Sequence, residues 1–231
     1  YYFPIYQRKI SFTLKIIAII FMLCDHFGDA ILKPFSFFNV LGRIAFPIFA
    51  FQLTEGYIHT KNLKKYFKRL IIFAIISQIP FMLFSSTFTS RFSLNIFFTL
   101  FIGLFAIYIY DKSHNKFLGI LVTIFLCALA QLIKTDYGAW GVCIIMIFYI
   151  FKDKKIWMCL LYLLSCLLKY LPYLLAYNFH YIYMLLLLGT ASSIFFIILY
   201  NGKQGKKVKY LLYAFYPLHM LALYFINVAI S

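Results

Sequence analysis

Acid is what this sequence most lacks. Six Asp and Glu stand against 22 Lys and Arg, and charged residues of both signs make up only 12% of the 231 positions. A soluble domain covers itself with about a quarter charged residues, so a water-facing surface of ordinary composition is excluded. Cysteine is also uninformative as a framework. Cys24, Cys127, Cys143, Cys159 and Cys166 are odd in number, fall inside apolar segments and form no CxxC pair, which excludes a disulfide scaffold and a thiolate zinc site. His26, His59, His114, His180 and His219 are scattered without helical ligand spacing, and no metal is expected. There is no internal repeat, no low-complexity tract and no polar stretch long enough to fold alone, so residues 1–231 read as a single transmembrane domain.

Apolar surface is what the sequence has. Hydrophobic residues account for 65% of the chain and aromatic ones for 22%, with a mean hydropathy of +0.90. The expected solvent is therefore lipid, and the expected fold is all-α, a polytopic bundle of about nine transmembrane helices. Breaks at charge clusters, Pro and Asn place the segments at 11–30, 37–57, 65–85, 92–110, 117–134, 138–151, 156–172, 179–200 and 209–230. The first run leads into a second within a short loop and has no small-residue cleavage site, so it reads as a helix that stays in place.

The bases give the orientation. Arg8 and Lys9; Lys61, Lys64, Lys65, Lys68 and Arg69; Lys112 and Lys116; Lys152, Lys154 and Lys155; and Lys203, Lys206, Lys207 and Lys209 occupy alternate gaps. The gaps between them hold one base each: Lys33, Arg91, Lys134 and Lys169. The positive-inside rule then puts the N-terminus in the cytoplasm and the C-terminus outside. The formal charge of +16 is topological, and no nucleic-acid partner is expected.

Ionisable groups inside a bilayer are costly and are candidate functional residues for that reason. In LKIIAIIFMLCDHFGD, Lys15 and His26 are three helical turns apart, on one face and about 16 Å along the axis. Residue type alone also allows Lys15 to snorkel at a helix end and His26 to serve as packing glue. Asp29 shares the face of His26, whereas Asp25 points toward a neighbour, for which Arg43 in the next hairpin segment is suited. Glu55 meets His59 and the basic run containing Lys64, Lys65 and Arg69, as half of a phosphate-binding surface or as a neutralised helix end. Asn95 and Thr99, one turn apart, either line a polar cavity or bond each other and nearby backbone. Asp136 in DYGAWG suits a helix cap. In FYPLHM, Pro217 removes a backbone donor, and Tyr216 and His219 face a polar interior.

These blocks carry a family resemblance. LKIIAIIFMLCDHFGD, LGRIAFPIFAFQLTEGYIHTKNLKKYFKRLIIFAIISQIPF, LNIFFTLFIGLFAIY, DYGAWGV and NGKQGKKVKYLLYAFYPLHM resemble the TraX family, whose best-known member acetylates the N-terminus of conjugative pilin; the likeness runs from about residue 13 to 225. TraX proteins are similar in turn to the acyltransferase-3 enzymes and heparan-alpha-glucosaminide N-acetyltransferase. In acyltransferase-3 enzymes a basic residue, ten intervening positions and a His form a signature, and Lys15 to His26 has that spacing, with Lys in place of Arg. Lys lacks the planar fork that grips phosphate bidentately, which weakens its assignment as a cofactor contact relative to that of His26.

The resemblance implies a multi-pass protein of the bacterial cytoplasmic membrane. It would move an acyl group, acetyl in the parent case, from cytoplasmic acetyl-CoA to an acceptor arriving from the outer side, a peptide N-terminus or a sugar. His26 would be the general base, with Asp25 or Asp29 setting its tautomer. Arg43, Asn95 or His219 would stabilise the oxyanion. Lys15, Glu55, His59, Lys64, Lys65 and Arg69 would face the cofactor, and Asn95, Thr99, Asp136 and Tyr216 the acceptor cavity. Direct transfer and an acyl-histidine intermediate both remain open. The alternative is a proton-coupled transporter or flippase using Asp25, His26, Arg43 and His219 as a path; no paired Gly/Pro-broken spans mark two related halves. A third reading is a structural assembly partner in the membrane.

Overall fold

The computed structural model describes residues 10–32, 35–200 and 209–230. Arg8, Lys9, Lys33, Lys203, Lys206 and Lys207, used above for orientation, lie outside the described residues. Among those described, the chain is helical throughout. In order come α1 (Ile10–Phe27), a π turn (Gly28–Leu32), α2 (Phe37–Gly42), α3 (Ala45–His59), α4 (Leu63–Ser85) and α5 (Ile96–Lys112). They are followed by α6 (Lys116–Leu132), α7 (Gly138–Ile150), α8 (Lys155–Ala176), α9 (Tyr181–Ile198) and α10 (Lys209–Ile230). The extended contact among the described residues is a parallel bridge between Leu94 and Thr135.

Five of the described helical stretches are long and apolar enough to cross a membrane: Phe37–His59, Leu63–Ser85, Lys155–Ala176, Tyr181–Ile198 and Tyr213–Ile230. Shorter apolar helices, α6 and α7, accompany them. Large apolar side chains such as Leu132, Ile79, Phe117 and Phe195 stand two-thirds or more exposed. In water that surface would be one large sticky patch; against acyl chains it is matched to its solvent.

The expected segments coincide with helices to within a few residues, with two differences that have local causes. The stretch 37–57 is broken at Arg43 and Ile44, because Pro47 has no N–H to give the Arg43 carbonyl and the helix restarts at Ala45. The stretch 92–110 begins late. Asn95 holds extended backbone and its side chain accepts from the Phe97 N–H at 3.0 Å, so α5 starts at Ile96.

Two compact units emerge. The first joins the described residues up to Phe49 with those from Cys166 onward, and the second runs from Ala50 to Ser165. In the second unit α5, α6 and α7 pack on one another and α4 packs on α5, around Leu104, Ile107, Val142, Ile144 and Ile145, all fully buried. Its α4–α5 seam is polar: Asn95 Nδ2 donates to the Ala74 carbonyl at 2.7 Å and to Gln78 Oε1 at 2.9 Å. At the other end of α5, Asp111 accepts from the hydroxyls of Tyr149 at 2.6 Å and Tyr57 at 2.8 Å. Asp111 lies past the apolar stretch of α5, and the Tyr149 hydrogen bond, outweighing burial and helped by Tyr57, holds its carboxyl below the usual carboxylate range.

In the first unit α2 lies between α1 and α9, and two glycines set the spacing. A methyl group at Gly42 would meet Cβ of Asp25 and its backbone Cα, the latter at 2.6 Å. At Gly189 it would meet the backbone carbonyl oxygen of Val40. Around them Val40, Tyr170, Leu174 and Leu186 form one buried cluster, and Leu14, Ala18, Ile44 and Ile48 another. Backbone atoms cannot swing aside as a side-chain tip can, so Gly42→Ala and Gly189→Ala each should destabilise by about 1–3 kcal/mol. The expected result is a thermal midpoint in detergent below that of the parent protein, against no more than a small change for Leu121→Ala, whose side chain is exposed. Unchanged midpoints in both glycine variants would contradict the close approach.

Candidate functional site

The polar end of α1 is where the sequence candidates converge. Asn39, on α2 and 1% exposed, points its amide into the α1 terminus. Its Nδ2 donates to the Asp25 carbonyl at 3.0 Å, to Asp25 Oδ1 at 3.2 Å and to Asp29 Oδ1 at 2.7 Å. Its Oδ1 accepts from the backbone N–H and the hydroxyl of Ser36, at 2.9 and 3.0 Å. A buried amide used at both ends in this way fixes the hairpin rather than merely filling it. It also marks where α1 widens into the π turn Gly28–Leu32, a deviation often found at functional sites. Asp25 completes its environment with Arg43, 3.4 Å away, so the carboxylate and guanidinium read together from the hairpin do meet.

His26 faces the opposite partner, α10. Its Nδ1 lies 2.6 Å from Nε2 of His219, and the two rings are nearly parallel, 7° apart with centroids 4.9 Å apart. His219 Nδ1 is in turn 2.7 Å from the Phe215 carbonyl oxygen. A carbonyl only accepts, so His219 carries its proton on Nδ1 and, with both rings neutral, presents a lone pair at Nε2. The short contact then requires His26 to donate from Nδ1. This leaves Nε2 of His26 as the unprotonated end of the chain Phe215, His219, His26, which is the form a general base needs. Tyr216, 3% exposed, stands edge-on to both rings, with centroids 6.2 Å from His26 and 5.9 Å from His219. Pro217 sits inside α10 between these groups, and further along the same helix Asn227 Nδ2 donates to the Ala30 carbonyl of the π turn at 2.6 Å.

The first unit thus gathers Asp25, His26, Asp29, Arg43, Tyr216 and His219. Lys15, half-buried, lies three turns earlier on the unbroken α1, about 16 Å from His26 along the axis. The remaining candidates belong to the second unit. His59 Nδ1 lies 2.9 Å from the Glu55 carbonyl and 3.8 Å from its carboxylate. Lys64 and Lys65 are exposed in the first turn of α4, where Asn62 Oδ1 accepts from the Lys65 N–H, and the guanidinium of Arg69 lies over the Tyr66 ring. Asn95 is spent on α4 as described, and Thr99 Oγ1, fully buried, has no hydrogen-bond partner among the described residues.

Asp136 corrects the capping expectation. The N-cap position of α7 is held by Tyr137, without a side-chain cap bond. The reason is that Gln131 Oε1 reaches from α6 to accept the Ala139 N–H at 3.2 Å, while the Asp136 N–H is given to the Leu94 carbonyl at 2.8 Å. Sequence reasoning passed over Asn39, Asp111, Tyr57 and Tyr149. A Ser three residues before a buried Asn at a helix start resembles a capping box and was the available signal for Asn39. Among 20 tyrosines nothing distinguishes the two that bind Asp111. Among the described residues no three His, Cys, Asp or Glu side chains are arranged to hold a metal ion.

No solved structure matches the chain. A relative described as probable fimbrial assembly protein FimC, serogroup H1, of Dichelobacter nodosus is 28% identical, covering 92% of this chain and 93% of its own length. An uncharacterized protein, RP591, of Rickettsia prowazekii (strain Madrid E) is also 28% identical, over 64% of this chain and 59% of its own. The family model described as TraX protein matches residues 11–227, nearly the whole sequence that carries the helices and both histidines, and the chain belongs to the TraX family.

Proposed function

We propose that this protein is a membrane-embedded acyltransferase that moves an acyl group, acetyl in the simplest case, from acyl-CoA to an amine or hydroxyl acceptor. The observation that carries the reading is the Phe215, His219, His26 hydrogen-bond chain, which leaves an unprotonated imidazole nitrogen at a lipid-embedded polar site. The acceptor nitrogen or oxygen loses its proton to Nε2 of His26 as it bonds to the thioester carbonyl carbon. The C–S bond breaks, and the CoA sulfur leaves as a thiol by taking that proton back. Protonated His26 is held by His219, and the Arg43 guanidinium, next to Asp25, supplies positive charge for the oxyanion. Lys15, near the other end of α1, faces the donor phosphates. The fimbrial assembly relative supports a peptide acceptor of the fimbrial or pilin kind over a sugar.

Nine spans, an inner N-terminus and a cytoplasmic-membrane location belong to the same reading. The alternation of bases supports them: Lys61 to Arg69, Lys112 to Lys116 and Lys152 to Lys155 on the inner side, against Arg91 and Lys134 on the outer. In intact cells a membrane-impermeant maleimide should label Asp136→Cys and should reach Lys64→Cys only after permeabilisation; the opposite pattern would invert the orientation.

The activity test is acceptor-dependent release of CoA by the purified protein in nanodiscs, with peptide amines and amino sugars as acceptors. His26→Ala should lower turnover by about 10² to 10⁴-fold while leaving acyl-CoA binding in place. His219→Ala should lower it by a smaller factor and move the pH profile, and His219→Gln, which keeps an acceptor where Nε2 lies, should recover part of the loss. Full turnover in His26→Ala would remove the histidine from the chemistry. Proton-coupled uptake into vesicles without acyl-CoA would assign the site to transport instead.

A further inference from the structure

The turn between α7 and α8 is a short basic segment of the second unit. Lys152, Lys154 and Lys155 fall within four residues, with Asp153 as the one acid among them, and all four side chains are exposed. They border a shallow, largely open groove of about 700 Å³ along the start of α8, lined further by Ile156, Trp157 and Leu160. These three are 75%, 57% and 53% exposed. Ile156 and Leu160 are one turn apart and share a face of α8, and Leu163 and Leu164 continue the exposed apolar track away from the lysines. The groove therefore has a gradient built into it, cationic at the turn and apolar along the helix, with an indole at the junction where aromatic rings settle in a membrane interface.

Among the described residues none of the three lysines makes an ion pair. Lys152 is instead drawn over the ring of Tyr149, 4.9 Å from its centroid, and Tyr149 in turn gives its hydroxyl to Asp111. The carboxylate of Asp111 thus accepts from two phenols, and the ammonium of Lys152 lies over the ring of one of them, beside the turn. The positive-inside rule accounts for bases in this loop, but it is indifferent to whether they border a groove beside an exposed indole.

We propose that this groove is a binding site for an anionic phospholipid, its phosphodiester headgroup set among Lys152, Lys154 and Lys155 and its acyl chains lying along Ile156, Trp157 and Leu160. Charge complementarity selects the headgroup, since each base near a membrane surface adds to the attraction for anionic lipid. The apolar wall selects a lipid over a free phosphate. The site is independent of the acyl-transfer reading.

Trp157 reports on its own site, because the chain has only two tryptophans and the Trp157→Phe protein supplies the signal of Trp140 for subtraction. The protein is reconstituted in phosphatidylcholine containing equal fractions of either dibrominated phosphatidylglycerol or dibrominated phosphatidylcholine. Quenching of Trp157 should be at least about threefold greater with the brominated anionic lipid. It should fall to the zwitterionic level in Lys152→Gln/Lys154→Gln/Lys155→Gln, and inorganic phosphate at millimolar concentration should leave it unchanged. Should the triple variant fail to fold, native mass spectrometry of the parent protein measures the same preference, as retained phosphatidylglycerol against phosphatidylcholine. Equal quenching by the two lipids, a preference that survives the triple variant, displacement by inorganic phosphate or by CoA, or no selective retention would each overturn the proposal.

Discussion

The amide of Asn39 is the interaction on which the polar end of the first unit depends. In a lipid solvent no water stands ready to satisfy a buried donor or acceptor, so each must find its partner in the protein. Asn39 meets that demand for several groups at once: it ties the Asp25 carbonyl, the carboxylates of Asp25 and Asp29, and both donors of Ser36. Removing it would take a hydrogen-bond partner from several polar groups at once rather than from one, and losing a buried partner costs more than the bond itself contributes. Gly42 and Gly189 are the geometric counterpart, since only a residue without Cβ lets α2 come close enough to both neighbours for the amide to reach.

What this knot positions is a pair of imidazoles. His26 follows Asp25 directly, so fixing the Asp25 carbonyl and carboxylate fixes the helical phase at which His26 leaves α1. Its ring then meets His219 across α10, and Tyr216 closes the same space edge-on. Polarity in the chain from the Phe215 carbonyl is one-directional, because its first member can only accept. A neutral pair is thereby committed to one tautomer, and the unprotonated nitrogen is the one left at its end.

Much of the fold was legible because lipid imposes a simple rule on sequence. Apolar runs cut by bases at 61–69, 112–116 and 152–155 mark helix ends, and the structure turns there. Positions where a side chain from another element supplies a partner were not legible. Asp136 looked like a cap because the Gln131 side chain that caps α7 comes from α6, and α5 began later than its apolar run because Asn95 is held by Ala74 and Gln78 of α4. In the site, the pairing of Asp25 with Arg43 followed from a short hairpin and is present. The bond between His26 and His219 spans 193 positions. Composition could nominate both histidines as costly residues in a bilayer, but only the packing of α1 on α10 joins them. Asn39 is a neutral residue in an apolar hairpin and carries no cost conspicuous enough to draw notice.

The most direct test of this account is solid-state NMR of the protein with ¹⁵N-labelled histidine in bilayers at neutral pH, with the two rings assigned by single replacement. Protons should reside on Nδ1 of both His26 and His219, with Nε2 of His26 unprotonated and through-space transfer from the His26 Nδ1 proton to His219 Nε2. A proton resident on Nε2 of His26, or no contact between the two rings, would contradict it.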